Sequence, residues 1–252
     1  FIFIDINEEL IKLQKKALKD ASHFEKIDDI PKKPTIFIGN EFLDTFPVNQ
    51  FIKKNNYWKE VCVNSDNKEL FFSYETTKLS KKLISSNFVN LKEESIIEIN
   101  FKVKKIINNI SNFIKKNSGA AIFFDYGYVD GHGDSFQGIK DNKPINPLSD
   151  PGFVDLTSHV NFKDIKLQAK KNNINFYGPN TQSLFLEEMG AIQRLKILEN
   201  NANNHQRKDL RIGLNRLMSD KEMGNLFKVI ALSSKNFPSL EGFTCGTTTN
   251  KE

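Results

Sequence analysis

The sequence predicts an α/β protein: a single sheet whose strands alternate with helices, carrying an inserted antiparallel β meander. Three observations predict it. Buried-looking β runs at residues 1–4, 35–38 and 120–124 each close on polar or acidic groups, as strands do where they deliver side chains to a ligand crevice. Between residues 51 and 75, three β runs follow one another across short Lys-Asn-Asn and Ser-Asp-Asn-Lys breaks, the pattern of a meander. The tail then alternates helical and strand patterns and ends on a helix–strand pair.

Taken in order, residues 1–4 form a strand closing on Asp5, and Leu10, Leu13, Ala17 and Leu18 follow at helical spacing. A short further strand falls within residues 23–30, and Pro31 and Pro34 mark a turn. Thr35 to Ile38 is the next strand, and the meander occupies about 51–95 together with a polar connecting or lid segment at 78–94. Glu98 precedes an amphipathic helix with Val103, Ile106, Ile107, Ile110 and Ile114 on its core face. The strand at 120–124 runs into a loop beginning Asp125-Tyr126-Gly127-Tyr128, followed by a Gly-rich stretch in which His132 reads as an exposed loop residue. A helix is expected near 163–171, a strand at 174–177, and a helix start at Gly178-Pro179-Asn180-Thr181. Helices at 182–189, 192–199 and 210–217 and a last strand at 226–232 complete one domain spanning 1–252.

Composition narrows the function classes. Charged residues are 27% and hydrophobics 38%, and no apolar run approaches the 18 or so residues of a membrane helix. The net charge of +5 is scattered among lysines, without the basic stripe and interleaved aromatics that nucleic-acid binding uses. Cys62 and Cys245 lie far apart, which predicts free thiols in a reducing compartment and supports no metal site. The chain opens inside a strand without an initiator Met, so an upstream part is expected. Its Lys, Asn and Ile richness suggests an AT-rich genome, bacterial or of a mitochondrion-related lineage.

The chemistry is expected around Gly39-Asn40-Glu41-Phe42-Leu43-Asp44. Glu41 and Asp44 are three apart, so a helical turn would set both carboxylates on one face, suited to a guanidinium, an ammonium or a metal. The alternative is that Asn40 or Asp44 caps a helix and Glu41 is solvated. Asp5, at a strand end, either accepts hydrogen bonds from ribose hydroxyls or, like Asn7, caps the following helix. Asp125 and Tyr126 are placed in the same cleft, and Asp155 either faces it or sits in a turn.

Several motifs in order resemble one family. The stretch from Gly39 to Val48, Phe124-Asp125-Tyr126-Gly127, Asp150-Pro151-Gly152-Phe153-Val154-Asp155-Leu156-Thr157, Thr181-Gln182, Phe185-Leu186 and Met223-Gly224-Asn225-Leu226-Phe227-Lys228-Val229 are similar to the MidA family of SAM-dependent methyltransferases. The resemblance runs from Phe1 to about Phe243. It implies a class I methyltransferase fold, a Rossmann-like seven-stranded, mostly parallel sheet whose last strand is antiparallel. The family's first strand and Glu-x-Gly-x-Gly loop would precede Phe1. Asp5 would then take the ribose-binding position, where the family usually has Glu, and Tyr128 stands where His commonly follows the glycine.

The resemblance also implies S-adenosyl-L-methionine (SAM) as cofactor and a protein arginine as methyl acceptor, since the mitochondrial members are complex I assembly factors that methylate a complex I subunit. Glu41 and Asp44 become the guanidinium clamp, Asn40 orients cofactor or substrate, and Asp125, Tyr126, Asp155 and Gln182 line the substrate side. A bacterial protein would work in the cytoplasm, a eukaryotic one in the mitochondrial matrix. The alternative is a non-catalytic assembly or chaperone-like binding protein on the same scaffold. A NAD-type dehydrogenase finds no nicotinamide-site feature in the chain.

Overall fold

The computed structural model describes residues 1–66, 69–83, 88 and 90–243. Cys245 and much of the expected connecting segment at 84–89 lie outside the described residues. In chain order the first elements are β1 (Ile2–Ile4), α1 (Glu8–Ala17), β2 (Ser22–Phe24), β3 (Thr35–Asn40), β4 (Asn49–Lys54), β5 (Tyr57–Ser65) and β6 (Leu70–Glu75). There follow α2 (Lys78–Leu83), β7 (Ile96–Ile99), α3 (Phe101–Asn117), β8 (Gly119–Tyr128), β9 (Gln137–Lys140), β10 (Lys143–Ile145), β11 (Asp155–Thr157) and β12 (Val160–Asn161). The tail holds α4 (Phe162–Lys171), β13 (Asn175–Thr181), α5 (Gln182–Glu188), α6 (Ala191–Asn200), α7 (Asn204–Met218), α8 (Met223–Leu226) and β14 (Phe227–Ser233). No helix among the described residues is long and apolar enough to cross a membrane.

The central sheet is built on β8. β3 runs parallel to it along one side, β12 joins that side farther on, and β14 lies antiparallel on the other, with β13 outermost. β1 and β2 pair parallel to each other as a separate two-stranded ribbon. The central sheet thus has five strands, all parallel to β8 except the reversed β14, which is the mixed sheet expected. The core lies where α3 and α4 cover the sheet: Ile107, Ile114, Phe123, Phe162, Ile165, Ile230 and Leu232 are essentially buried. Four helices start on an asparagine cap (Asn7, Asn100, Asn161 and Asn203), whose side-chain oxygen accepts first-turn N–H groups that lack partners in the helix.

The meander is present as β4–β5–β6, with a fourth strand, β7, on the other side of β4. β7 was hidden because Ile96-Ile97-Glu98-Ile99 is interrupted by a charge and runs directly into α3. Two expectations change around the central sheet. Asp125 to Tyr128 does not begin a loop, because β8 continues through them, pairing with Phe227 and Lys228 on one side and Val160 on the other. Gly178 to Asn180 stay within β13, where a register shift absorbs the Gly-Pro pair, and the helix starts only at its Thr181 cap. The small sheet β10–β9–β11 was also unforeseen, its strands being only three or four residues long.

Candidate active site

Since β3, β8 and β13 point the same way, Asn40, Tyr128 and Thr181 end at one edge of the sheet. A deeply buried carboxylate organises that edge. Asp125 is fully buried, and its Oδ2 accepts backbone N–H bonds from Phe42 (3.2 Å), Leu43 (2.8 Å) and Asp44 (3.3 Å). Its Oδ1 accepts the N–H of Tyr126 at 3.0 Å. Three successive amides converging on one oxygen fix the 42–44 turn against the end of β8, as an anion is cradled by a backbone nest.

Tyr126, next on β8, donates its hydroxyl to Asp44 Oδ2 at 2.5 Å. Its ring packs 5.4 Å from Phe227 and 5.6 Å from His159, and the Thr157 side chain lies near its hydroxyl. The Ser158 N–H donates to the Asp44 carbonyl. Gly127 permits the adjoining β8–β12 contact, because a Cβ there would stand 2.1 Å from the Val160 carbonyl oxygen. The motifs around 40, 125, 157 and 227 therefore meet in one cluster.

Burial pushes Asp125 up to about 7, and the charge of Asp44 adds to it against the four amide donors. Burial also raises Asp44, while the Tyr126 hydrogen bond opposes the rise. Burial and the bond to Asp44 raise Tyr126 in turn, keeping its proton on oxygen. A carboxyl whose pKa is higher folded than unfolded adds stability fully below the unfolded value, and the contribution is lost as pH rises through the folded one. Wild type is thus expected to lose ground to Asp44→Asn, which removes one charge of the pair, between about pH 4 and about 7. Urea unfolding of the two proteins across that window checks it; a constant stability difference would refute the coupling.

The helical turn expected to align Glu41 and Asp44 is absent. Residues 41–46 are bends and turns, Asp44 is 4% exposed, and Glu41 is exposed with a φ of 46°. That left-handed backbone costs a residue with a Cβ about 1–2 kcal/mol. The Glu41 N–H extends the ladder by donating to the Phe124 carbonyl at 2.9 Å, and Asn40 Nδ2 donates to Glu41 Oε1 at 3.3 Å. The strained turn thus presents Asn40 and Glu41 outward while Asp44 supports it from within.

The other expected residues lie apart from this cluster. Asp5 ends β1 on the two-stranded ribbon; Asn7, not Asp5, is the cap of α1. Burial acts to raise Asp5, but bonds from the Asn7 N–H (2.9 Å) and Gln14 Nε2 (2.8 Å) outweigh it, holding the carboxyl below its ordinary value. Asp155 is exposed on β11, two residues before Thr157. Gln182 is buried and donates to the Leu217 carbonyl at 2.9 Å, tying α5 to the end of α7.

A second buried carboxylate escaped the sequence reading. Glu98 on β7 accepts from Gln50 Nε2 (2.8 Å), the Ser135 N–H (2.9 Å) and Ser135 Oγ (2.5 Å). Ser135 Oγ in turn accepts the His159 N–H, so this network anchors the Gly-rich loop beside Tyr126. The available signal was a lone Glu inside an apolar strand, which requires buried partners.

Fold and site together define a class I methyltransferase-like protein, with polar groups gathered at the carboxyl edge of a sheet ending in a reversed strand. Residues 1–180 match the family described as "putative S-adenosyl-L-methionine-dependent methyltransferase", and the chain belongs to that family. It is 35% identical over 218 residues to the mitochondrial protein arginine methyltransferase NDUFAF7 homolog of Caenorhabditis elegans, covering 84% of this chain and 50% of that protein. With the Homo sapiens protein arginine methyltransferase NDUFAF7 it shares 31% identity over 216 residues, 84% of this chain and 48% of the relative. The chain thus spans about half the length of the curated relatives it matches. Among solved structures, an uncharacterized protein from Burkholderia thailandensis superposes with a TM-score of 0.86 at 22% identity, covering 97% of this chain and 69% of that one. A structure from the same organism, bound to S-adenosyl-homocysteine, gives 0.81 at 21% identity, covering 97% and 66%.

Proposed function

We propose that this chain is part of a SAM-dependent protein arginine methyltransferase. The observation that carries the reading is the strained, outward-facing Asn40-Glu41 step, held over a buried Asp125–Asp44–Tyr126 cluster at the ligand edge. The family model and the named activity of the curated relatives support it. Following the family resemblance, the acceptor is a respiratory complex I subunit, in the mitochondrial matrix or its bacterial counterpart in the cytoplasm.

The residues present fit the nucleoside side of the cofactor in part. Asp5 is half-buried, its pKa is lowered, and each carboxylate oxygen has one protein donor, leaving acceptor capacity for ribose hydroxyls. Between β1 and β3 each strand keeps one edge unpaired among the described residues, and we place a further strand with its glycine loop there. When bound, SAM supplies a methyl group activated by a sulfonium. Glu41 pairs with the acceptor guanidinium, fixes its rotation and takes the proton released from the attacking nitrogen. Asn40 holds Glu41 and orients the substrate amide. Asp44, Asp125 and Tyr126 keep the turn in place, with exposed Asp155 at the rim and buried Gln182 tying α5 to the end of α7.

Calorimetry with SAM and S-adenosyl-homocysteine tests the reading, on this chain and on a version extended upstream through a glycine loop. The extended version is expected to bind, with Asp5→Ala weakening binding about tenfold, or ~1.4 kcal/mol. If a folded extended version bound neither compound, the catalytic reading would give way to a binding protein on the same scaffold.

A further inference from the structure

Among the described residues, all four arginines of the chain lie on α6 and α7: Arg194, Arg207, Arg211 and Arg216. Residues 191–218 hold six basic and two acidic side chains, a local excess of +4, with Glu187, Glu188, Asp220 and Glu222 just outside that stretch. Both of those acids are already engaged, Glu199 with Arg211 and Asp209 with His205. Arg194 and Arg216 have no anionic partner among the described residues.

The hairpin is also poorly covered. No residue of either helix is buried. Between the helices runs a groove of about 780 Å³ lined by Leu195, Leu198, Leu210, Leu214 and Leu217, with Arg194 and Asp209 as its charged lining. Gly213 opens it: the residue lies within α7, and a Cβ there would meet nothing within 4 Å. Glycine in a helix interior costs about 1 kcal/mol relative to alanine, and here the missing side chain widens an apolar groove.

Position adds meaning. The hairpin occurs between β13 and β14, leaving the sheet from the edge where Asn40 and Tyr128 end. Its base is bound there by Gln182 to the Leu217 carbonyl, and α8 leads directly to Phe227 against Tyr126.

We propose that the α6–α7 groove docks an acidic amphipathic helix of the protein acceptor, its apolar face on the leucines and its carboxylates toward the arginines. This rests on the methyltransferase reading only for the identity of the partner as acceptor. A second copy of the chain is the wrong occupant, because two faces of +4 would repel. A membrane favours an apolar face that can be inserted, whereas these leucines line a cleft between two helices, the geometry of helix-in-groove recognition. At 1.5 Å per residue, α7 offers a track of about 22 Å, matched by a peptide helix of about 15 residues.

The test is fluorescence anisotropy on the whole chain, without SAM, so failure of methyl transfer and failure of docking are separable. The probe is a labelled amphipathic helical peptide of about 15 residues with Leu on one face and Glu on the other. Three controls accompany it: the same peptide with Lys for Glu, a scrambled acidic peptide, and vesicles of phosphatidylserine and phosphatidylcholine. The acidic amphipathic peptide alone is expected to bind, more weakly at higher salt. Gly213→Leu, which fills the groove and favours the helix, should weaken binding about tenfold or more, while Gly213→Ala should bind nearly as wild type. Arg194→Glu should weaken it as well. Binding of the Lys or scrambled peptide as tight as the acidic one, preferential vesicle binding, no peptide binding, or full binding by well-folded Gly213→Leu would each overturn the proposal.

Discussion

Asp125→Ala is expected to destabilise the protein by at least about 3 kcal/mol and to abolish any methyl transfer with it. The alanine would leave the N–H groups of Phe42, Leu43, Asp44 and Tyr126 without their acceptor, in a position fully closed to water. Each buried donor so orphaned costs about 1–3 kcal/mol, moderated where the turn can shift toward solvent. Asp125→Asn keeps one acceptor oxygen and should lose less, about 1–2 kcal/mol. Urea midpoints give the stabilities, and amide exchange at residues 42–44 locates the loss. If Asp125→Ala were as stable as wild type, the carboxylate would not be what holds the turn.

Glu41 should behave in the opposite way. In any form of the chain that methylates an arginine-containing protein, Glu41→Gln is expected to lower the rate roughly 100-fold or more, with SAM affinity unchanged. Its side chain is exposed, and its stability contribution is small. Glu41→Gly should be as inactive, yet neutral to about 1 kcal/mol more stable, because glycine accepts a φ of 46° without a Cβ penalty. Activity lost with stability kept or gained is the signature of strain held for function. Normal turnover by Glu41→Gln would remove Glu41 from the guanidinium site.

Much of the fold could be read from local pattern. The Val103-to-Ile114 face of α3, the buried β3 and β8 runs and the meander are written as hydrophobic periodicity, and periodicity survives folding because it is what burial selects. The boundaries that went wrong share a cause. Asp125 to Tyr128 and Gly178 to Asn180 carry residues typical of loops, yet neighbouring strands take up their backbone hydrogen bonds. No local pattern reports the presence of such a neighbour.

By itself the sequence determined the class of sheet, the identity of its strand-end acids and the family. Only the tertiary structure decided what those acids do for one another. Glu41 and Asp44 are three residues apart and read as a pair, but the turn sends one outward and the other beneath. Asp44 is partnered instead by Tyr126, 82 residues away, and its turn is fixed by Asp125, equally distant in the chain. Burial and hydrogen-bond partnership are properties of the packed chain, so the role of a carboxylate becomes definite only when the strands that surround it are in place.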